Sequence, residues 1–336
     1  MKRWILGAAA LAAALLAGAV LTACGGDDDD GGGELIPVTF MLNWTPNTYH
    51  SGVYIALDRG WYRDAGLDVK IIEPAAGGTA QVLAAGKADF GVMAQEEIIP
   101  ARAEGVPVVA LAALIQHNDS SLYFLKSEGI TRPRDLEGKT YGGFGGVLER
   151  QLISELVKCD GGDPSKVKFV EVGNVDYLAG MESNRFDFVW VFEFWDVLRA
   201  REVEGKEVGS LKFIDYTNCI PDWYTPLIVT SEQMIKQKPD VVRKFMEASV
   251  RGYEVAMKDP KAAADAIMKG APESDRRLLE VSAEYLSTRY VDPGRPWGLQ
   301  DREVWVTFTE YLRRAGLIDK EIDVDAAFTN DFLPKR

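Results

Sequence analysis

Residues 43–60 read NWTPNTYHSGVYIALDRG, and they join the apolar run VTFML at 38–42 to a helical pattern. Apolar side chains recur at helical spacing from Val53 to Leu57. A strand, a polar loop and a helix in this order place the loop at the carboxyl edge of a sheet, where open α/β folds bind ligands. The stretch therefore predicts an α/β fold with a ligand site at this edge.

Strand and helix patterns alternate through two parts of the chain, which predicts parallel sheets wrapped by helices. Strands are expected at 38–42, 67–72, 88–92, 106–111 and 121–125, then at 139–141, 167–172, 186–192 and 224–230, and helices dominate after 241. We predict an α/β fold of two lobes, each a mainly parallel sheet flanked by helices. Residues 37–125 and 225–336 form lobe 1 and residues 126–224 form lobe 2, so two crossings frame a hinged cleft.

The N-terminus has the pattern of an export signal: Lys2 and Arg3 precede an apolar stretch at 4–20. The following LTACG resembles a bacterial lipoprotein box, which implies cleavage after residue 23 and lipidation (palmitate) of Cys24. Residues 24–36 are rich in Gly and Asp and predict a flexible tether. We expect an exported protein anchored to the outer face of the cytoplasmic membrane; a transmembrane anchor, or a signal peptide with a chance cysteine, is the alternative.

The formal net charge is −13, and it becomes −15 when Lys2 and Arg3 leave with the signal. Nucleic acid is therefore not expected as a partner, because phosphate backbones require a basic surface. Acidity of this size favours a soluble monomer. Cys159 and Cys219 could pair outside the cell, a question that two cysteines leave open. Two histidines and no Cys/His grouping do not favour a metal site.

The opening loop concentrates groups that could read a flat ligand. Its amide, aromatic and imidazole side chains offer hydrogen-bond donors, acceptors and ring faces. The candidate ligand-binding residues here are Asn43, Trp44, Asn47 and His50. The alternative is that the asparagines only cap a turn and a helix, and that Trp44 is core.

Further candidates follow other predicted strands. They are Gln95 and Glu96, then Tyr141 and Phe144 of YGGFGG, then Glu193 and Trp195 at the end of the aromatic run FVWVFEFW, and Tyr224 near the second crossing. A carboxylate among aromatic rings can accept N–H bonds from a heterocycle that the rings stack upon. The glycine loop offers free amides, although it lacks the lysine of a nucleotide-binding P-loop. Helix capping, a tight turn and buried strand are the respective alternatives.

Several of these stretches carry a family resemblance. The lipoprotein box and the segments at 42–71, 85–92 (AGKADFGV), 133–143 (PRDLEGKTYGG) and 241–265 together resemble solute-binding proteins of the NMT1/THI5-like family. The resemblance implies a two-lobed periplasmic-binding-protein fold of type II that delivers a small molecule to the permease and ATPase of an ABC importer. It further implies formylaminopyrimidine salvaged for thiamine, riboflavin or, more distantly, an alkanesulfonate as ligand.

Among these ligands we lean to riboflavin, because the aromatic supply exceeds the needs of one pyrimidine. The six residues concerned are Trp44, Tyr49, Tyr141, Phe144, Trp195 and Tyr224. A thiamine-precursor pyrimidine, either formylaminopyrimidine or hydroxymethylpyrimidine, is the alternative. Sulfonates rank lower, since Arg150 is the only basic residue in these loops and an anion usually requires one.

The resemblance also raises the possibility of an enzyme. Eukaryotic members of the family make the thiamine pyrimidine with a cysteine-rich motif, an active-site histidine and a cofactor lysine. The three cysteines of this chain are dispersed, and an export signal does not suit cytosolic biosynthesis. We therefore expect no enzymatic activity and no cofactor.

Overall fold

The computed structural model describes residues 34–74 and 78–335. Cys24, the predicted signal peptide and most of the predicted tether lie outside these residues. Within them, the ten strands in chain order are β1 Ile36–Met41, β2 Leu67–Ile72, β3 Phe90–Met93, β4 Val108–Ala113, β5 Ser120–Leu125, β6 Thr140–Gly143, β7 Lys168–Glu171, β8 Phe188–Phe192, β9 Val208–Lys212 and β10 Leu227–Ser231.

Helices fill the connections and most of the C-terminal third. The α-helices are α1 Ser51–Asp58, α2 Trp61–Asp64, α3 Gly78–Ala84, α4 Gln95–Ala103, α5 Val147–Cys159, α6 Tyr177–Glu182, α7 Glu232–Gln237, α8 Pro239–Lys258, α9 Pro260–Gly270, α10 Arg276–Ser287 and α11 Arg302–Arg314. Two π-helical turns, Glu193–Val197 and Arg199–Val203, follow β8. The 3-10 turns are Thr48–His50, Lys126–Glu128, Pro133–Leu136, Pro164–Lys166 and Phe213–Tyr216. Every described helix is too short or too polar to span a bilayer.

The strands form two five-stranded sheets, one in each lobe. The first sheet has the order β2-β1-β3-β10-β4 and the second has the order β7-β6-β8-β5-β9. In the first sheet β10 is antiparallel to both neighbours, and in the second sheet β5 is. The other four strands of each sheet therefore share one direction, as a mainly parallel sheet requires.

Two details differ from the sequence-based expectation. The predicted boundary at 125 assigns β5 to the first lobe, whereas β5 pairs with β8 and β9 in the second sheet. The first crossing therefore precedes Ser120. The strand β9 was not predicted, because VGSLK contains a glycine and only two strongly apolar residues, which is too little alternation to indicate a strand.

The first lobe is held by close packing of α1 against α8. A Cβ built on Gly252 would lie 1.8 Å from the carbonyl oxygen of Gly52, so the two backbones touch where the helices cross. Further along α8, the Phe245 ring stacks on Phe90 with centroids 4.0 Å apart and on Tyr62 at 5.2 Å. This buried aromatic stack attaches α8 to the sheet.

A disulfide joins Cys159, at the end of α5, to Cys219, beyond the last 3-10 turn of the second lobe. The sequence left this pairing open. Its Cα atoms are 5.7 Å apart, within the ordinary range for disulfides. The bond ties the segment that leads back to the first lobe onto a helix of the second, and disulfides of this kind persist in oxidising compartments.

Candidate functional site

The carboxyl edges of the two sheets face each other across the two crossings. The first crossing leaves the end of β4 and enters the start of β5, and the second leaves the end of β9 and enters the start of β10. Because β5 and β10 run against their neighbours, each crossing connects these edges directly. Loops at 43–50, 95–97, 114–119 and 193–195 consequently meet in one region, and the Tyr49 ring of the first lobe lies 5.3 Å from the Phe194 ring of the second.

In the loop after β1, three side chains form one hydrogen-bonded group. The Tyr49 hydroxyl donates to Oδ1 of Asn43 at 2.9 Å, and Nε2 of His50 lies 3.4 Å from the same oxygen. The backbone N–H of Asn47 donates to Nδ1 of His50, so the proton of the neutral ring is on Nε2. The oxygen of Asn43 is thus occupied, and its NH2 group is the part that can serve a ligand.

The backbone of this loop accepts hydrogen bonds from α8 and from the segment after α10. The Tyr253 hydroxyl donates to the carbonyl of Tyr49 at 2.7 Å, and the Tyr290 hydroxyl donates to the carbonyl of Thr48 at 2.5 Å. Asn47 caps the 3-10 turn through its side-chain oxygen, which accepts from the Tyr49 N–H. Asn47 is therefore a structural cap in this structure, as the alternative interpretation of the loop holds.

His50 is fully buried, and burial lowers the pKa of its imidazole to about 3. An unfolded chain returns this pKa to its ordinary value near 6.5, so the native state is destabilised as the pH falls from about 6.5 to about 3. The ring is neutral at physiological pH. It supplies a hydrogen bond to the site and no positive charge.

We expect a His50→Gln variant to lose this acid sensitivity. The difference in the free energy of unfolding between wild type and variant should shrink by up to about 1.4 kcal/mol for each pH unit below 6.5, because the unfolded wild type binds one more proton than the native state. Urea unfolding at pH 7.5, 6, 5 and 4 measures this difference. A difference independent of pH would show that His50 is not buried as a neutral ring.

At the end of β3, Gln95 and Glu96 fasten the second crossing to the first sheet. The N–H of Gln95 donates to the carbonyl of Tyr224, and the N–H of Tyr224 donates to the side-chain oxygen of Gln95 at 2.8 Å. The Trp223 indole donates to Glu96 at 2.7 Å, and burial raises the pKa of this carboxyl to about 8. The side-chain NH2 of Gln95 is buried and has no partner among the described residues.

A polar run, QHNDSS at 116–121, covers the end of the first crossing and the first two residues of β5. Four of its buried side-chain atoms have no hydrogen-bond partner in the described part of the chain: Oε1 of Gln116, Nδ2 of Asn118 and the hydroxyls of Ser120 and Ser121. Buried polar atoms are normally paired, and unpaired ones mark sites that a ligand or water completes. We therefore include residues of this run in the candidate site.

Opposite the opening loop, Glu193 begins the first π-helical turn with 2% of its surface exposed. Its Oε2 lies 3.9 Å from Nζ of Lys212, and its Oε1 has no hydrogen-bond partner among the described residues. A buried carboxylate with an open oxygen is a strong acceptor for N–H groups. The site therefore combines an acceptor from the second lobe with the amide donors of Asn43, Gln95 and Asn118.

The aromatic candidates divide into two groups. Trp44 is 40% exposed and Phe144 is 55% exposed, and both follow strands at the carboxyl edges of their sheets. Trp195 is half-buried, with the Arg199 guanidinium 5.8 Å from its ring centroid. Tyr141 and Tyr224 are instead buried. The Tyr141 hydroxyl donates to Glu149, and the Tyr224 hydroxyl accepts from the N–H of Asp301.

The glycine loop after β6 is organised by Glu149. This carboxylate accepts from the N–H groups of Phe144 and Gly146 at 3.1 and 2.8 Å, besides the Tyr141 hydroxyl. Two amides that the sequence presents as free are thus bound within the protein. The loop therefore has fewer free backbone N–H groups for a ligand oxygen than its glycine-rich sequence predicts.

Sequence reasoning did not identify several residues of this region: Gln116, Asn118, Asp119, Ser120, Ser121 and Lys212. The polar run between two apolar strands was a signal that could have identified the first five. Lys212 ends the unpredicted strand β9, so nothing indicated its place beside Glu193. Within the described ranges no cluster of three His, Cys, Asp or Glu side chains could hold a metal ion.

Solved structures share this fold. The alkanesulfonate-binding protein SsuA from Xanthomonas axonopodis pv. citri, bound to MOPS, matches with a TM-score of 0.65 at 13% identity, covering 88% of this chain and 99% of that chain. A protein from Bordetella bronchiseptica matches with a TM-score of 0.67 at 20% identity, covering 89% and 96%. The predicted two-lobed periplasmic-binding-protein fold is confirmed.

Relatives in sequence cover the same span. The chain is 27% identical to the formylaminopyrimidine-binding protein of Halalkalibacterium halodurans, over 87% of this chain and 89% of that one. It is 25% identical to the 4-amino-5-hydroxymethyl-2-methylpyrimidine phosphate synthase of Legionella pneumophila (88% and 92%), and 26% identical to the riboflavin-binding protein RibY of Chloroflexus aurantiacus (88% and 86%). The family model described as NMT1/THI5 like matches residues 47–263, more than half of the chain, so the protein belongs to the NMT1/THI5-like family.

Proposed function

We propose that this protein is the solute-binding subunit of an ABC importer and that it captures a flat nitrogen heterocycle, with a thiamine-precursor pyrimidine as the favoured ligand. The observation that carries the proposal is the buried Glu193 carboxylate, whose Oε1 has no partner among the described residues, together with the buried NH2 groups of Gln95 and Asn118, which also have none there. An aminopyrimidine has N–H donors for a carboxylate and ring nitrogens for amide donors. Ligand contacts made to both lobes at once would stabilise the closed form.

A pyrimidine is favoured over riboflavin because fewer aromatic side chains are available to contact a ligand than the sequence indicates. Tyr141 and Tyr224 are buried and bonded elsewhere, which removes two of the six rings on which the preference for riboflavin depends. The first of the sequence relatives described above is named for a formylaminopyrimidine. Riboflavin is the second candidate, since the exposed rings of Trp44 and Phe144 could cover a larger ring system.

We further propose that the mature protein is a monomer anchored by lipidated Cys24 to the outer face of the cytoplasmic membrane, where it delivers its ligand to the permease. The sequence LTACG and the acidic tether after it support this anchor. In this proposal the protein binds without catalysing synthesis. Its cysteines are dispersed, and two of them form the Cys159–Cys219 disulfide, unlike the cysteine-rich motif that the resemblance implies for the eukaryotic enzymes.

Titration with formylaminopyrimidine, hydroxymethylpyrimidine, riboflavin and taurine tests the proposed ligand. We expect the two pyrimidines to raise the unfolding temperature and to bind most tightly, because binding to the native state alone stabilises it. Tight binding of riboflavin, read by quenching of its fluorescence, would reverse the order of the two candidates. Binding of taurine alone would contradict the heterocycle proposal, and turnover of a pyridoxal or pyrimidine compound would contradict the non-enzymatic one.

A further inference from the structure

Asp119 lies in the first crossing and binds three partners from different parts of the fold. Its Oδ2 accepts from the N–H of Phe194 at 2.9 Å, and its carbonyl oxygen accepts from the N–H of Glu193 at 3.0 Å. Its Oδ1 accepts from the Tyr285 hydroxyl at 2.7 Å. One residue thus fixes the first two amides of the π-helical turn and attaches them to α10.

The turn needs such an anchor because the start of a helix leaves its first N–H groups without partners. Phe192, the N-cap residue of this turn, has no side-chain cap, and Asp119 fills that role from the residue before the neighbouring strand β5. The amides that it holds belong to Glu193 and its neighbour. The backbone that carries the Glu193 side chain is therefore held by Asp119.

Tyr285 extends this dependence to the other lobe. It lies on α10, which packs against α8 and α9 of the first lobe and also against the two π-helical turns of the second. The Arg289 guanidinium lies 3.7 Å from the Tyr285 ring centroid and donates a hydrogen bond to the backbone carbonyl of Tyr285. These two contacts hold the Tyr285 ring in place. The hydroxyl of Tyr285 is thus a fixed donor from the first lobe to the crossing.

We propose that Asp119 is a positioning residue for the ligand-binding carboxylate of Glu193, and that Tyr285 couples this positioning to the contact between the lobes. The expected effect of Asp119 on ligand affinity rests on the proposed binding function. The expected effect of Asp119 on the π-helical turn does not depend on any ligand. Neither Asp119 nor Tyr285 needs to touch the ligand in this arrangement.

Hydrogen exchange on the ligand-free protein tests the positioning directly. We expect Asp119→Ala to accelerate exchange of the Phe194 amide at least tenfold, and Tyr285→Phe to accelerate it by a smaller factor. The Glu193 amide, which donates to the backbone carbonyl of Asp119, should change less. Asp119→Asn should keep most of the protection, because its carboxamide oxygen can accept from Phe194 while its NH2 donates to the Tyr285 oxygen. Unchanged exchange in Asp119→Ala would overturn the proposal, whether or not a ligand is known.

A double-mutant cycle tests the effect on binding, with formylaminopyrimidine as the probe. Tyr285→Phe should weaken binding about three- to tenfold in the wild-type background and have no effect in Glu193→Gln, while lowering the unfolding temperature equally in both. Tyr62→Phe, which removes the buried hydroxyl bonded to Ser249 deep in the first lobe, is the matched control and should lower stability without coupling to Glu193. An equal loss of affinity from Tyr285→Phe in both backgrounds would show a structural role only. Failure of the wild type to bind any probe would count against the proposed function and leave the exchange result to decide the positioning.

Discussion

Replacing Glu193 with glutamine is expected to weaken binding of the pyrimidine ligand by about 10- to 100-fold, which corresponds to about 1.5–3 kcal/mol for a hydrogen bond to a charged group. The substitution keeps the size of the side chain and one acceptor oxygen. It removes the charge, and it places an NH2 group where the ligand presents its own donor. Because Glu193 is 2% exposed, water cannot replace the lost interaction at low cost.

Isothermal titration at neutral pH, with formylaminopyrimidine and hydroxymethylpyrimidine, measures this loss. Glu171→Gln is the matched control, because Glu171 ends the parallel strand β7 at the same edge of the second sheet and is exposed. The control should bind like the wild type. Equal affinities of wild type and Glu193→Gln, or an equal loss in the control, would remove Glu193 from the site.

The substitution Gly252→Ala is expected to lower the free energy of unfolding by about 3 kcal/mol, the upper part of the usual range for overpacking. Helix propensity alone predicts the opposite sign, since alanine in place of an exposed helical glycine is worth about 1 kcal/mol of stabilisation. Packing outweighs propensity here. The new methyl carbon would lie 1.8 Å from the Gly52 carbonyl oxygen, which is backbone and cannot rotate away.

Urea unfolding of wild type, Gly252→Ala and Glu247→Ala separates these two effects. Glu247 lies on the exposed face of the same helix, so its replacement changes propensity without creating a clash. We expect Glu247→Ala to unfold near the wild-type midpoint and Gly252→Ala to unfold at a clearly lower urea concentration. A midpoint for Gly252→Ala at or above that of the wild type would show that α1 and α8 do not approach at these glycines.

Much of the fold could be predicted because its signals are local. Strands such as 67–72 read as alternating apolar and polar runs, and the long C-terminal helices carry periodic apolar faces. The pairing of β5 could not be predicted in this way. Its sequence, SSLYFL, suits either sheet, and only the direction of the chain through the crossing decides which sheet receives it.

The candidate site was predictable to a lesser extent. Asn43 and Glu193 follow the ends of strands and His50 lies in the loop after β1, so the sequence predicts them as candidate ligand-binding residues. Whether an aromatic residue at a strand end faces solvent or the core is decided by distant contacts. For Tyr141 the deciding partner is Glu149, and for Tyr224 it is the backbone of Asp301. No pattern in the local sequence contains that information.

The position of the antiparallel strand in each sheet decides which of the two sheets can form first during synthesis. All five strands of the second sheet have been synthesised once β9 ends at Lys212. The first sheet must wait for β10, which lies between β3 and β4 and bonds to both. The lobe that starts the chain is therefore the last to close. Until β10 is inserted, β3 and β4 each expose an unpaired edge, so a chain interrupted before residue 227 would present a template for aggregation.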